Sequence, residues 1–326
     1  MSDIHTSKAV ITDRPDLRAA TPPQRRIAGG SRRGVTLIEL IMGITVLMIL
    51  MAIAVAQITR LQRAYAAVTS AMQIRARLRD GSDIVRADLR GIASAGASII
   101  SKSDTAIEFY SAIGTSTICT IPSVSTVTLP PGSVPSARVL SAWVFIPDIG
   151  DEVLILADST PLAPPMWQSA AITDVTTIPT TIGCPAAAGL LSPADVAGPE
   201  MSYQIALTAG TSMSIHTGAP VRVIRHVRYN VYRAGDGSWY LGYRICNSGC
   251  SGVQPVSGPY TGGSQPPITF HFFRRDGTRL ADGSSPADVS RIEILLRASY
   301  SQPFRLPGMA TGVSSDSVIA SVALRN

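Results

Sequence analysis

The 326-residue chain is 45% apolar and 15% charged, a balance that excludes wholesale disorder and allows a sizeable core. Its net charge of +6 is local: residues 1–34 carry seven Lys or Arg against three Asp, residues 57–90 seven Arg against three Asp, and the remainder is near neutral. Positive charge confined to the flanks of a hydrophobic stretch fits membrane topology or anionic lipid and argues against a groove for nucleic acid.

Residues 1–34 show no sustained periodicity; Pro15, Pro22, Pro23 and Gly29-Gly30 break any helix, and Arg25, Arg26, Arg32 and Arg33 gather at the end. This is the composition of a cytoplasmic leader. From Val35 to Ala56 the chain reads VTLIELIMGITVLMILMAIAVA, without proline and with Glu39 as its one charge. Twenty-two helical residues rise about 33 Å, against a hydrocarbon core of about 30 Å. The arginines before this segment place the N-terminus in the cytoplasm, so residues 35–57 are expected to span the bilayer.

Beyond the span, Ile58, Leu61, Tyr65, Val68 and Met72 step by three and four, an apolar seam suited to a partner surface. The helix is expected to continue as a stalk over 58–97, with a kink at Asp80-Gly81-Ser82-Asp83 and Ser82 capping the stretch beyond.

Residues 98–326 read as a β-rich head. Its strand candidates are AIEFYSAI, ARVLSAWVFI, DEVLILA, VRVIRHVRYNVY, WYLGYRIC, ITFHFFRR and RIEILLRASY. Asp236-Gly237 and Asp276-Gly277 mark hairpins, whereas 158–200 and 247–266, dense in proline and small residues, read as long surface loops. The fold class is therefore α+β: a long N-terminal helix packed on an antiparallel sheet.

All four cysteines, Cys119, Cys184, Cys246 and Cys250, follow the span, and an even count on the exported side is compatible with two disulfides. Three connectivities exist. The spacing Cys246-Asn-Ser-Gly-Cys250 suggests a local bridge, leaving Cys119 with Cys184; a four-thiolate zinc site is the alternative.

The string Arg32-Arg33-Gly34-Val35-Thr36-Leu37-Ile38-Glu39-Leu40 resembles the processing and assembly signal of type IV pilins. An ordinary secretory signal is cut after its hydrophobic stretch, whereas this one is cut before it. The resemblance implies that prepilin peptidase cleaves between Gly34 and Val35 and that the new amine of Val35 is methylated, although Val stands where Phe is more usual. It also implies that Glu39 pairs with the N-terminal ammonium of a neighbouring subunit, which would explain a costly carboxylate beside a bilayer span. A purely local explanation also exists, because Thr36 and Glu39 have capping-box spacing. Ala56 occupies the position where many major pilins carry a kinking proline.

Farther on, VRYNVYRAGDGSWYLGYRIC at 227–246 and ITFHFFRRDGTRLADGSSPADVSRIEILLRAS at 268–299 resemble the PilW/PulJ-like group of minor pilins. Plain antiparallel hairpins would show the same aromatics and turns.

His5, His216, His226 and His271 form no metal-ligand spacing, so no metal or cofactor is expected. Asp148, Asp151 and Glu152 in IPDIGDEV are too sparse for calcium and read as a solvated turn. The arginines of VRVIRHVRYNVYR read as the wet face of a strand. Trp143, Trp167 and Trp239 read as core or loop anchors. No hydrolase elbow is present, and no enzyme is expected.

The resemblance thus implies a minor pilin or pseudopilin, waiting in the inner membrane with its head outside. Its expected partners are prepilin peptidase, other major and minor pilins or pseudopilins, the assembly platform and membrane lipid. The 292 residues left after cleavage exceed a typical major pilin, which favours a subunit near the tip of a type IV pilus over a type II secretion pseudopilin. A different class is an anchored or secreted adhesin or DNA-uptake receptor, for which, in its secreted form, Ala52-Ile53-Ala54 would be an ordinary signal-peptidase site.

Overall fold

The computed structural model describes residues 34–92, 99–157, 166–208, 215–260, 265–299 and 315–324. Of the expected leader, all but Gly34 lies outside them. The chain divides into two compact units, Met1–Leu61 and Gln62–Asn326.

Helix α1 spans Leu37–Arg90. In the first unit its residues are all exposed, and the run is long and apolar enough to cross a membrane. Nothing but lipid or another apolar surface suits so continuous a greasy exterior. In the second unit the character of α1 changes, because it acquires one buried face: Leu78, Gly81, Ser82, Val85 and Leu89. The helix runs unbroken through Asp80–Asp83, where a kink was expected. The Ser82 hydroxyl donates to the Arg79 carbonyl within the helix and caps nothing beyond it. Gly81 serves packing: a β-carbon there would collide with the hydroxyls of Tyr260 and Ser257.

The strands are β1 (Ile99–Lys102), β2 (Ala106–Thr117), β3 (Thr120–Ser123), β4 (Thr126–Leu129), β5 (Ala142–Trp143), β6 (Glu152–Ala157) and β7 (Met166–Pro179). They continue with β8 (Met201–Leu207), β9 (Pro220–Arg233), β10 (Trp239–Ile245), β11 (Gln254–Tyr260), β12 (Ile268–Phe273), β13 (Arg291–Ser299) and β14 (Ser315–Ala323). All named pairings are antiparallel. The larger sheet runs β1-β2-β9-β6-β7-β8-β4-β3, with β10 and β11 extending from β9 and β5 beside β2; the smaller is β12-β13-β14.

Period-two burial along β9 organises the head. Val221 and Val223 face one core, with Ile113, Val153, Ile155, Ile172 and Ile205. Val227 and Tyr229 face another, with Leu78, Val85 and Leu89 of α1 and Phe270, Ile292 and Leu296 of the smaller sheet. Both cores lie on the same face of one strand. A third, small cluster surrounds the Cys119–Cys184 disulfide with Val134, Leu191 and Val196.

Three expectations need correction. ARVLSAWVFI forms only the two-residue β5, because its backbone meets β2 at Gly114 and Thr115 and then leaves the sheet edge. The stretch 158–200 is not a loop throughout: residues 166–179 form β7, whose first half pairs with β6 and second half with β8. Residues 254–260 within the second expected loop form β11.

Candidate functional site: the processing and assembly segment

Gly34, Val35 and Thr36 precede α1 in non-helical backbone. Helix formation leaves the first N–H groups without partners, and Thr36 and Glu39 resolve this reciprocally. The Glu39 N–H donates to Thr36 Oγ1 at 3.3 Å, and the Thr36 N–H donates to Glu39 Oε2 at 3.4 Å. Glu39 therefore has a local role in the isolated chain. Its carboxylate stays exposed, as do Val35, Leu37, Ile38 and Leu40 around it. The seam residues Ile58, Leu61, Tyr65, Val68 and Met72 are likewise exposed.

The head shows no catalytic constellation among the described residues. Glu108, His226 and Cys246 cluster closely enough to suggest a metal, but Cys246 is bonded to Cys250 and carries no free thiolate. His226 Nε2 lies 2.7 Å from Glu108 Oε1, and Arg228 and Ser101 approach the other carboxylate oxygen. This is a hydrogen-bonded network around Glu108, with Arg228 as its ion-pair partner. Between α1, β11 and β13 lies a cavity of about 210 Å³ whose lining includes Ser70, Gln73, Arg77 and Ser299, with no convergence of titratable groups.

The sequence reading missed the head's best-sealed polar cluster. Arg225 was read as part of a wet strand face and Asp151 as part of a solvated turn, yet both are buried. Arg225 is in odd register with Val223 and Val227, so it points inward, between the two cores. Its Nε and Nη2 each donate to Asp151 at 2.7 Å, and Nη2 also donates to the Ile146 carbonyl. Asn247 Nδ2 donates to the same carboxylate at 2.8 Å, and so does the Asp148 N–H. The Asp151 hydrogen bonds hold the Arg225 guanidinium above its ordinary pKa, against the opposing effect of burial. The register of 222, 225 and 228 was the available signal: a spacing of three inverts the face of a strand.

A second buried polar contact ties α1 to β9. The Tyr229 hydroxyl donates to Asp88 Oδ2 at 2.6 Å. Burial raises the Asp88 carboxyl above its ordinary range, and burial together with Asp88 raises the Tyr229 phenol. Trp143 packs against the β-sheet core with Tyr203, Trp239 packs against the helix-bearing core, and half-exposed Trp167 lies under Arg222.

An exposed apolar helix that begins at a capped carboxylate, in a chain that also carries a β-sheet head, is consistent with membrane anchoring. Comparison sharpens it at the N-terminus: residues 30–55 match the prokaryotic N-terminal methylation motif. The match spans the basic leader end, Gly34-Val35, Glu39 and most of the apolar run, and supports a type IV pilin-like, structural subunit rather than an enzyme. No curated protein and no solved structure matches the chain.

Proposed function

We propose that this chain is a minor pilin, held in the inner membrane by α1 with its head on the far side and then assembled near the tip of a type IV pilus. Prepilin peptidase would cut between Gly34 and Val35 and methylate Val35. Glu39 would then meet the new ammonium of a neighbouring subunit, buried among apolar helices where the attraction is strong. The observation that carries this reading is the methylation motif running directly into an apolar helix with no cover of its own. The PilW/PulJ-like pattern at 227–246 and 268–299 and the size of the head support an accessory subunit; a type II secretion pseudopilin shares the same N-terminal chemistry.

Mass spectrometry of the mature N-terminus tests the first step. A chain beginning at methylated Val35 is expected; one beginning near Val55 would show an ordinary secreted protein instead. Glu39→Ala should be processed and remain membrane-bound, yet be absent from sheared filaments. Normal incorporation would remove Glu39 from the mechanism.

A further inference from the structure

An unpaired strand edge is a row of N–H and C=O groups that pairs readily with another chain, and proteins blunt such edges. Here nearly every edge is managed. β1 and β3 are four residues long, β3 with Pro122, and β5 has two residues. β11 contains Pro255 and Pro259. The outer groups of β12 are occupied: the Phe270 N–H donates to the Asp104 carbonyl and the Leu280 N–H to the Phe272 carbonyl.

β14 is the exception. It is nine residues long, SDSVIASVA, with neither proline nor a basic residue, and among the described residues it pairs with β13 alone. The bond from the Leu324 N–H to the Ser290 carbonyl sets the phase of the ladder. Even-numbered residues of β14 therefore bond to β13, and odd-numbered ones turn their N–H and C=O groups outward. The Ser317 N–H is satisfied by the Asp316 carboxylate. Among the described residues, no hydrogen bond reaches the backbone of Ile319, Ser321 or Ala323 on this side.

These three positions are symmetric about Ser321. We propose that β14 is a self-pairing edge, joining two copies of this chain antiparallel about a two-fold axis through Ser321. Ser321 then opposes Ser321 of the second copy, and Ile319 opposes Ala323, forming about six N–H···O bonds. The side chains that meet are small and uncharged, apart from Ile319. That residue is 66% exposed in the single chain and would cover Ala323 of the second copy. No like charges oppose one another across the pair. The surface is independent of the filament reading, since neither cleavage nor Glu39 takes part.

Opposed residues in a hydrogen-bonded antiparallel pair have Cα atoms about 5.5 Å apart, within disulfide range. All four native cysteines are already bonded, so an added thiol has only its counterpart to meet. The full chain in detergent, carrying Ser321→Cys, should convert to a disulfide-linked dimer under mild oxidation. Ser317→Cys, on the same edge but about eight residues from its own copy across the axis, should form no disulfide-linked dimer. Ser321→Pro removes an outward donor and no β13 bond, and should sediment as a monomer where wild type is a dimer. Absence of the Ser321→Cys cross-link, equal cross-linking by Ser317→Cys, or a Ser321→Pro dimer would each overturn the proposal.

Discussion

Arg225 and Asp151 offer the sharpest test of how the head is held together. Replacing Arg225 with Met keeps most of the volume and removes both 2.7 Å bonds to Asp151. The carboxylate then stays fully buried with only Asn247 and the Asp148 N–H as donors. Breaking one side of a buried ion pair costs about 3–5 kcal/mol, because the remaining charge is left uncompensated. Asp151→Leu should cost a comparable amount. In the double variant no charge is stranded, so its loss should fall short of the sum by about 2–3 kcal/mol. Urea unfolding in detergent, followed by fluorescence of Trp143 in the adjoining core, reads all four corners of the cycle. A coupling below about 0.5 kcal/mol would refute the reasoning, since it would mean that water reaches the pair. Because Arg225 also holds the Ile146 carbonyl, Arg225→Met should in addition speed proteolysis within 144–149, where Val144, Phe145, Ile146 and Ile149 are exposed.

Gly81→Ala should destabilise: the helix-propensity gain of about 1 kcal/mol is outweighed by overpacking of about 1–3 kcal/mol against Tyr260 and Ser257. Adding Tyr260→Phe should recover part of the loss in the same urea assay. The Cys119–Cys184 bridge closes a separation of 65 residues, and its removal should cost about 4 kcal/mol; removal of Cys246–Cys250, with a separation of four, should cost about 2 kcal/mol. Equal losses by thermal melting would count against the chain-entropy argument. Burial and the nearby Arg279 lower the pKa of His271 below its ordinary value. The unfolded chain therefore takes up the proton first as pH falls below about 6.5, and stability drops until the lowered folded pKa is passed. His271→Gln should flatten the urea midpoint between pH 7.5 and 5; an unchanged slope would show that other groups carry it.

What was legible in the sequence was whatever buries one clean face. VRVIRHVRYNVY, ITFHFFRR and RIEILLRASY alternate against a core and emerge as β9, β12 and β13. β7 was hidden because only Ile172 of its fourteen residues is buried, so Thr, Ser and Ala dominate and no alternation survives. ARVLSAWVFI misled in the opposite direction. Its apolar residues are plentiful, but beyond Trp143 they stay exposed on a segment anchored by the Ile113 carbonyl and Arg225. Arg225 itself was misread because charge was given more weight than register. In the head, register decided which side of the strand the guanidinium occupied, and Asp151 made that position tolerable.

At the N-terminus the two explanations offered for Glu39, the local cap and the proposed assembly contact, would act at different moments. In the single chain Glu39 closes a capping box with Thr36, which satisfies helix N–H groups that would otherwise face lipid unpaired. The bond to the carboxylate, at 3.4 Å, is long for a charge-assisted contact, and the bond to the Thr36 hydroxyl is 3.3 Å. They leave the carboxylate exposed and able to exchange one donor for a stronger one. A neighbour's ammonium is such a donor, and cleavage after Gly34 is what would create it. On this view the cap lowers the cost of carrying a carboxylate until assembly, and the ion pair replaces only the Thr36 N–H bond while the Glu39 N–H can keep its bond to Thr36 Oγ1. Thr36→Val should therefore reduce the amount of membrane-inserted precursor without abolishing incorporation of the chains that insert, whereas Glu39→Gln should insert normally and fail in the filament. Quantitative blotting of membrane and sheared-filament fractions separates the two. If both variants lose insertion and incorporation together, the cap and the assembly contact are one function.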